Sequence, residues 1–169
     1  MERLLDILPL MPGQLILDIG SNTCWAAATF ARIGLRAVAL DISMTEMQGL
    51  RTGDWWIEDQ DLYFERVLEQ MSALPFAQES FDWVFCCEVL HHNDRRGMTR
   101  ALREAHRVTP SRREPDCERA IAVADQAQAR PWRRGRGVRW ERACVLRRGV
   151  PLDGAASGVL AYPRHGARV

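Results

Sequence analysis

The chain contains no lysine, so all 23 of its basic side chains are arginines. It also lacks any Cys-x-x-Cys pair. Its five cysteines, Cys24, Cys86, Cys87, Cys117 and Cys144, are odd in number and irregularly spaced. That pattern argues against both a zinc site and a disulfide framework, and reduced thiols in a cytoplasmic setting are the simpler account. No metal is expected. There is no apolar run of 18 residues, and the early apolar residues are broken by Asp6, Pro9 and Pro12. Neither a membrane span nor a signal peptide is therefore expected. No internal repeat is present. A net charge of +1 gives no overall field for nucleic acid or a membrane surface. The balance conceals an asymmetry. Residues 1–110 hold 10 Arg and 16 Asp+Glu, a net of −6, whereas residues 111–169 hold 13 Arg and 6 Asp+Glu, a net of +7.

What is present is enough for one globular domain: 169 residues, 47% of them hydrophobic. Residues 2–8 suit a short opening helix. Gln14–Ile19 is a near-continuous aliphatic run, as expected of a strand buried on both faces. Gly20–Asn22 reads as a turn, and Thr23–Ile33 continues at helical spacing, with Gly34 placed to close the helix. Arg36–Leu40 reads as a second strand. Ser43 is a candidate N-cap for a helix from Met44 to about Leu50. Residues 51–62 have no clean period and read as a loop or lid carrying Trp55 and Trp56. Tyr63–Leu68 and Phe81–Val89 read as strands three and four, with a Pro75-containing loop between them. Asp94–Val108 is an amphipathic helix.

A strand, a turn, a helix and a second strand capped by an acid about 20 residues later make half of a Rossmann-type site. Backbone N–H groups near Gly20 and Ser21 could meet a carboxylate at the helix N-terminus. Asp18 could face an ammonium group, directly or through water. Asp41 offers two acceptor oxygens for the two hydroxyls of a ribose, and Ile42 could cover one face of a base. The plainer reading is that Asp18 and Asp41 cap strand ends and bind local backbone. Their joint spacing favours the functional one.

The segment from Leu74-Pro75-Phe76 through Ser80-Phe81-Asp82 to Glu88-Val89-Leu90-His91-His92 resembles class I S-adenosylmethionine-dependent methyltransferases. So does the run Leu102–Val108. With Leu17–Asn22 and Leu40–Ile42, the resemblance covers residues 14–108. It implies an α/β fold, a Rossmann-like parallel sheet with flanking helices, and S-adenosyl-L-methionine as cofactor. By that resemblance Asp18, Gly20, Ser21 and Asn22 would line the methionine end. Asp41 would hold the ribose and Ile42 would pack on adenine. Gln70 stands where the family has an acid for the adenine amino group, and Met71 where a backbone donor meets the ring. Glu88 would sit at a strand tip beside the cofactor. His91 and His92 are weak candidates for a general base, and a packing and capping role weighs more.

The chain departs from the family pattern in three places. The usual Gly-x-Gly-x-Gly turn is Gly20-Ser21-Asn22-Thr23-Cys24 here; Asn22 tolerates positive φ, whereas Cys24 adds a side chain where glycine permits close approach. Gln70 replaces an acid. After Val108 the text becomes rich in Arg, Ala, Gly and Pro, and the expected Pro-Gly-Gly and fifth strand are missing. The expected division is thus a cofactor-binding domain over 1–108 and an Arg-rich tail over 109–169, read as the product of a shifted reading frame in a G+C-rich gene, with a divergent tail or a trimmed fold as the plainer alternative. The Rossmann-like fold would then be incomplete in its C-terminal half, leaving strand four as an exposed edge unless Ala120–Ala124 pairs there. The Arg130–Arg142 cluster reads as a solvated segment rather than a phosphate site.

The leading expectation is methyl transfer from S-adenosylmethionine to a small-molecule acceptor in the cytoplasm, with neither membrane nor nucleic acid as partner. The alternatives are a non-catalytic remnant and an NAD-binding oxidoreductase. The acceptor and the oligomeric state cannot be read from these residues.

Overall fold

A computed structural model describes residues 8–110, 121–124 and 143–146. Its centre is a sheet of six strands in the order β3-β2-β1-β4-β5-β6. The strands are β1 (Leu15–Ile19), β2 (Arg36–Asp41), β3 (Glu65–Leu68), β4 (Trp83–Cys87), β5 (Ile121–Ala124) and β6 (Ala143–Leu146). The first five run parallel, and β6 returns antiparallel along β5. Among the described residues three α-helices accompany them: α1 (Trp25–Arg32), α2 (Gly53–Glu58) and α3 (Arg95–Val108).

Strands β1, β2 and β4 are buried on both faces, which is why they read as unbroken apolar text. Alternation along them divides the core in two. Ile16, Ala37, Ala39, Trp83 and Phe85 face α1, where Phe30 meets Phe85 edge-on at 5.3 Å between ring centres. Leu17, Ile19, Val38, Leu40, Val84 and Cys86 face α3 through Ala105 and Val108. The start of β1 is clamped twice by the Ser-Phe-Asp segment: Leu15 N–H donates to Asp82 at 2.9 Å, and Asp82 N–H donates back to the Leu15 carbonyl.

α1 is preceded by Cys24 in a left-handed conformation, φ 58°, and is closed by Gly34 at φ +88°, whose N–H donates to the Ala31 carbonyl. α3 is capped by Asp94, which accepts from Gly97 N–H at 2.6 Å. Its last turn holds the Leu-Pro-Phe loop in place. Arg107 donates to the carbonyls of Leu74 and Phe76, and Glu104 accepts from Leu74 N–H.

Two local expectations fail. Residues 44–49 form no helix: Asp41 takes the N–H of Ser43, the Ser43 carbonyl accepts from Leu50, and a 3₁₀ turn follows at Leu50–Thr52. The segment expected as a loop or lid instead contains α2. This six-residue helix is held from outside, since Asp54 pairs with Arg66 of β3 at 2.6 Å and the Trp56 indole donates to the Thr23 carbonyl at 2.9 Å. Such a short helix depends on tertiary contacts rather than propensity. Trp55 and Trp56 pack on each other edge-on, so they are local packing rather than a cover for the site.

The β4 edge is covered, as the sequence allowed, because β5 pairs along it from Val84–Ile121 to Cys87–Ala124. Residues near Ala120–Ala124 thus supply the fifth strand that the sequence admitted there. The opening helix (apart from Leu8), the Arg130–Arg142 cluster and Cys117 lie outside the described residues.

Candidate functional site

In an open parallel sheet, ligands gather beyond the carboxyl ends of the strands where the chain order reverses. Here that point lies between β1 and β4: connections from β1 run outward to β2 and β3, and β4 starts the other half. A cleft of about 980 Å³ opens there, lined from the tips of β1, β2, β3 and β4. Gly20, Asn22, Asp41, Ile42, Gln70, Met71 and Glu88 line it, as does His92. Three of the residues singled out from the sequence do not: Asp18, Ser21 and His91.

The Gly20–Cys24 turn is held largely by hydrogen bonds to the end of β2. Gly20 and Ser21 N–H groups both donate to the Leu40 carbonyl, at 2.8 and 3.1 Å. Asn22 N–H donates to Asp41 Oδ2 at 2.9 Å. The backbone donors expected at Gly20 and Ser21 for a ligand carboxylate are therefore already engaged with the neighbouring strand. Gly20 stands at φ +74°, and a Cβ there would come within 2.2 Å of Val89 Cγ2. Glycine is required by both the backbone and the contact. Asn22 adopts φ 46°, as the sequence suggested an asparagine could.

Cys24 does not obstruct the cleft. Its side chain is fully buried, with Sγ near the carbonyls of Asn22 and Leu50 beneath the 3₁₀ turn. Burial pushes its thiol pKa up, which suits an inert packing role.

Asp18 lies under the turn rather than in the cleft. It is 2% exposed and accepts from Ser21 Oγ at 2.6 Å. Burial drives its pKa up to about 7, against the opposing bonds from Ser21 and the Ala27 N–H. Asp18 thus ties β1, the turn and the first turn of α1 together from below.

Asp41, at the tip of β2, faces the cleft half-exposed. Each carboxylate oxygen accepts one backbone N–H, Oδ2 from Asn22 and Oδ1 from Ser43, both at 2.9 Å. Those bonds fix the plane of the carboxylate. A carboxylate has about four acceptor positions, so each oxygen keeps capacity for a ligand hydroxyl. The local-backbone reading and the ligand reading of Asp41 are thus both compatible with one geometry. Ile42, 71% exposed, and Leu68, 51% exposed, flank this end and offer apolar surface for a flat ring.

On the opposite wall Glu88 takes a left-handed φ of 54° at the end of β4. His92 follows on a 3₁₀ turn, its ring packed on that of His91 at 4.2 Å. The Asn93 amide donates to Met71 Sδ at 3.2 Å, joining the β4 and β3 sides of the mouth. Sequence reasoning missed Glu69 and Trp25, which also line the cleft. Glu69 accepts from Gln70 N–H at 2.7 Å and restores a carboxylate beside the position where Gln70 lacks one. Its place directly after β3 was the available signal. Among the described residues no group of His, Cys, Asp and Glu is arranged to hold a metal ion.

A Rossmann-like sheet with an acid-tipped second strand and a cleft at the switch point is the arrangement the sequence led one to expect. The chain belongs to the methyltransferase domain family, whose model matches residues 17–112. Solved structures agree in fold. A methyltransferase-like protein from Bacillus halodurans C-125 is 23% identical with a TM-score of 0.62, over 73% of this chain and 49% of that one. An S-adenosylmethionine-dependent methyltransferase from Aquifex aeolicus is 18% identical with a TM-score of 0.61, over 80% of this chain and 67% of that one. The [4+2]-cyclase SpnF is 18% identical with a TM-score of 0.63, over 73% of this chain and 43% of that one. The chain thus spans about half the length of the first of these, 49%. No curated protein matches it significantly.

Proposed function

We propose that the cleft binds S-adenosyl-L-methionine and that the chain transfers its methyl group to a small-molecule acceptor in the cytoplasm. The observation that carries this reading is the Asp41 carboxylate. It is fixed by two backbone donors and turned to the cleft, and it suits a vicinal diol at the tip of the second strand. Ile42 and Leu68 would hold the base between apolar surfaces, with Glu69, Gln70 and Met71 at its polar edge. Gly20, Asn22 and Glu88 would flank the rest of the ligand. Asp18 and Ser21 would act from below by holding the turn. The donor set fits the nucleoside: acceptors for hydroxyls, apolar cover for a ring, and a carboxylate and an amide near its amino group.

When bound, the cofactor supplies a methyl group already activated on sulfonium sulfur. The protein's part is then placement and exclusion of water. Family membership supports the reading, since members bind S-adenosylmethionine. The departure from the family pattern after Val108 favours a second reading, a non-catalytic remnant of such a domain.

Calorimetry with S-adenosylhomocysteine on the wild type and on Asp41→Ala tests the binding. The variant is expected to lose most of the affinity, roughly tenfold or more. An unchanged dissociation constant, with circular dichroism confirming the fold, would refute the ribose role. A methyl-release assay over a panel of small acceptors then separates an enzyme from a binding domain.

A further inference from the structure

Past β2 the chain lines the cleft at Ile42, leaves it, and lines it again at Gln48. The segment between stands at the rim of the cleft. Given the nucleoside reading above, on which this rests, the base lies at the β2–β3 end beside that segment. We propose that residues 44–48 form a strap that folds over the bound nucleoside, with Met47 as the side chain that covers it.

The neck of this strap is fixed. Asp41 accepts from Ser43 N–H, and the Ser43 carbonyl accepts from Leu50 N–H, both at 2.9 Å. The Thr52 hydroxyl donates to the Gly49 carbonyl at 2.7 Å. Gly49 and Leu50 are buried. A Cβ on Gly49 would stand 2.6 Å from Thr45 N and 2.7 Å from the Ser43 carbonyl oxygen, so the two limbs of the loop touch at its base. These contacts tie the neck to Asp41, the carboxylate assigned to the ribose.

The tip is held much more loosely. Residues 44–48 are exposed and belong to no helix or strand. Among the described residues, three contacts hold them. Thr45 N–H donates to Ser43 Oγ at 3.4 Å, the Ser43 and Thr45 hydroxyls lie 3.2 Å apart, and Glu46 pairs with Arg51 at 3.2 Å. The first two are internal to the loop. The third joins side chains that are both more than half exposed, and such a pair adds little. A firm neck below a weakly held tip lets the tip move while Asp41 stays in place.

The chemistry of the tip suits a flat ring. Met47 is 82% exposed and Met44 45%. Apolar surface of that kind gains from burial, and the base of a nucleoside at the β2–β3 end offers it a partner. An unbranched thioether adapts to an aromatic face and makes favourable sulfur contacts with it.

NMR of the full chain labelled at its methionine methyl groups tests this. S-adenosylhomocysteine is the ligand, since its sulfur carries no methyl. Signals are assigned by their loss in Met11→Leu, Met47→Leu and Met71→Leu. Met71 lines the cleft and reports binding itself; Met11, exposed and outside the lining, is the control. Saturating ligand should move the Met47 methyl upfield, into the ring current of the base, together with a shift of Met71, and leave Met11 in place. Calorimetry on Met47→Ser should show roughly tenfold weaker binding, because the variant keeps the fold and loses the apolar cover. A shifted Met71 with an unmoved Met47, or wild-type affinity in Met47→Ser, would overturn the strap. Absence of both heat and a Met71 shift would instead remove the cofactor reading, and the strap with it.

Discussion

Asp18 and Asp41 are both acids near strand ends, yet their surroundings give them different work. Asp41 keeps its solvent side, and its place at the cleft was legible because it directly follows an apolar run that reads as a strand. Asp18 is closed in by the turn, and no sequence pattern states whether a turn folds over or away from the acid preceding it. The consequence is a pH effect. Asp18 holds a proton in the folded state up to about pH 7 but loses it near its ordinary value of 3.8 when unfolded. The folded state binds more protons between those values, so stability should fall as pH rises from about 4 to 7. The loss is on the order of a few kcal/mol. Asp18→Asn should flatten that slope and stabilise the chain at pH 8. Urea denaturation at several pH values measures it, and an equal slope in both proteins would contradict the burial account. Gly20 makes the second residue-scale prediction. Gly20→Ala should cost roughly 1–3 kcal/mol through the Val89 clash and the φ of +74°. A denaturation midpoint like that of the wild type would show that the turn can shift.

At the scale of elements, the strands were legible because burial on both faces writes itself as unbroken aliphatic text. α3 was legible because its polar and apolar residues separate at helical period and Asp94 marks its start. α2 was not, because what holds Gly53–Glu58 is Arg66 and Thr23, neither of which lies in the segment itself. The helix expected after Ser43 is replaced by a longer loop, because the Ser43 carbonyl accepts from Leu50, seven residues on, rather than from the residue four on. Stability should follow these ties. Asp94→Ala is expected to cost about 1 kcal/mol by loss of the α3 cap. Arg107→Ala should cost more, roughly 2 kcal/mol, because it releases two carbonyls of the Leu74–Phe76 loop together with Glu104. That pairing with Arg107 holds the Glu104 carboxyl below its ordinary range. Equal midpoints for the two variants would show that the loop is not held by α3.

For the whole molecule, the order of motifs along residues 14–108 was enough to indicate the fold and the family, and the family model covers 17–112. Neither the acceptor nor catalysis was legible. Related folds include a cyclase, and fold alone does not determine the reaction. We propose a shifted-frame origin for the text after Val108, and that reading carries its own prediction. Translating the source DNA in the other two frames past codon 108 should give a Pro-Gly-Gly segment followed by a strand pattern, and its absence in both frames would count against the idea. All functional statements converge on one cleft holding one nucleoside ligand. Isothermal titration of the full chain with S-adenosylhomocysteine tests this most directly. One site with micromolar affinity is the predicted result; no heat with that ligand, alongside clear binding of NAD, would contradict it.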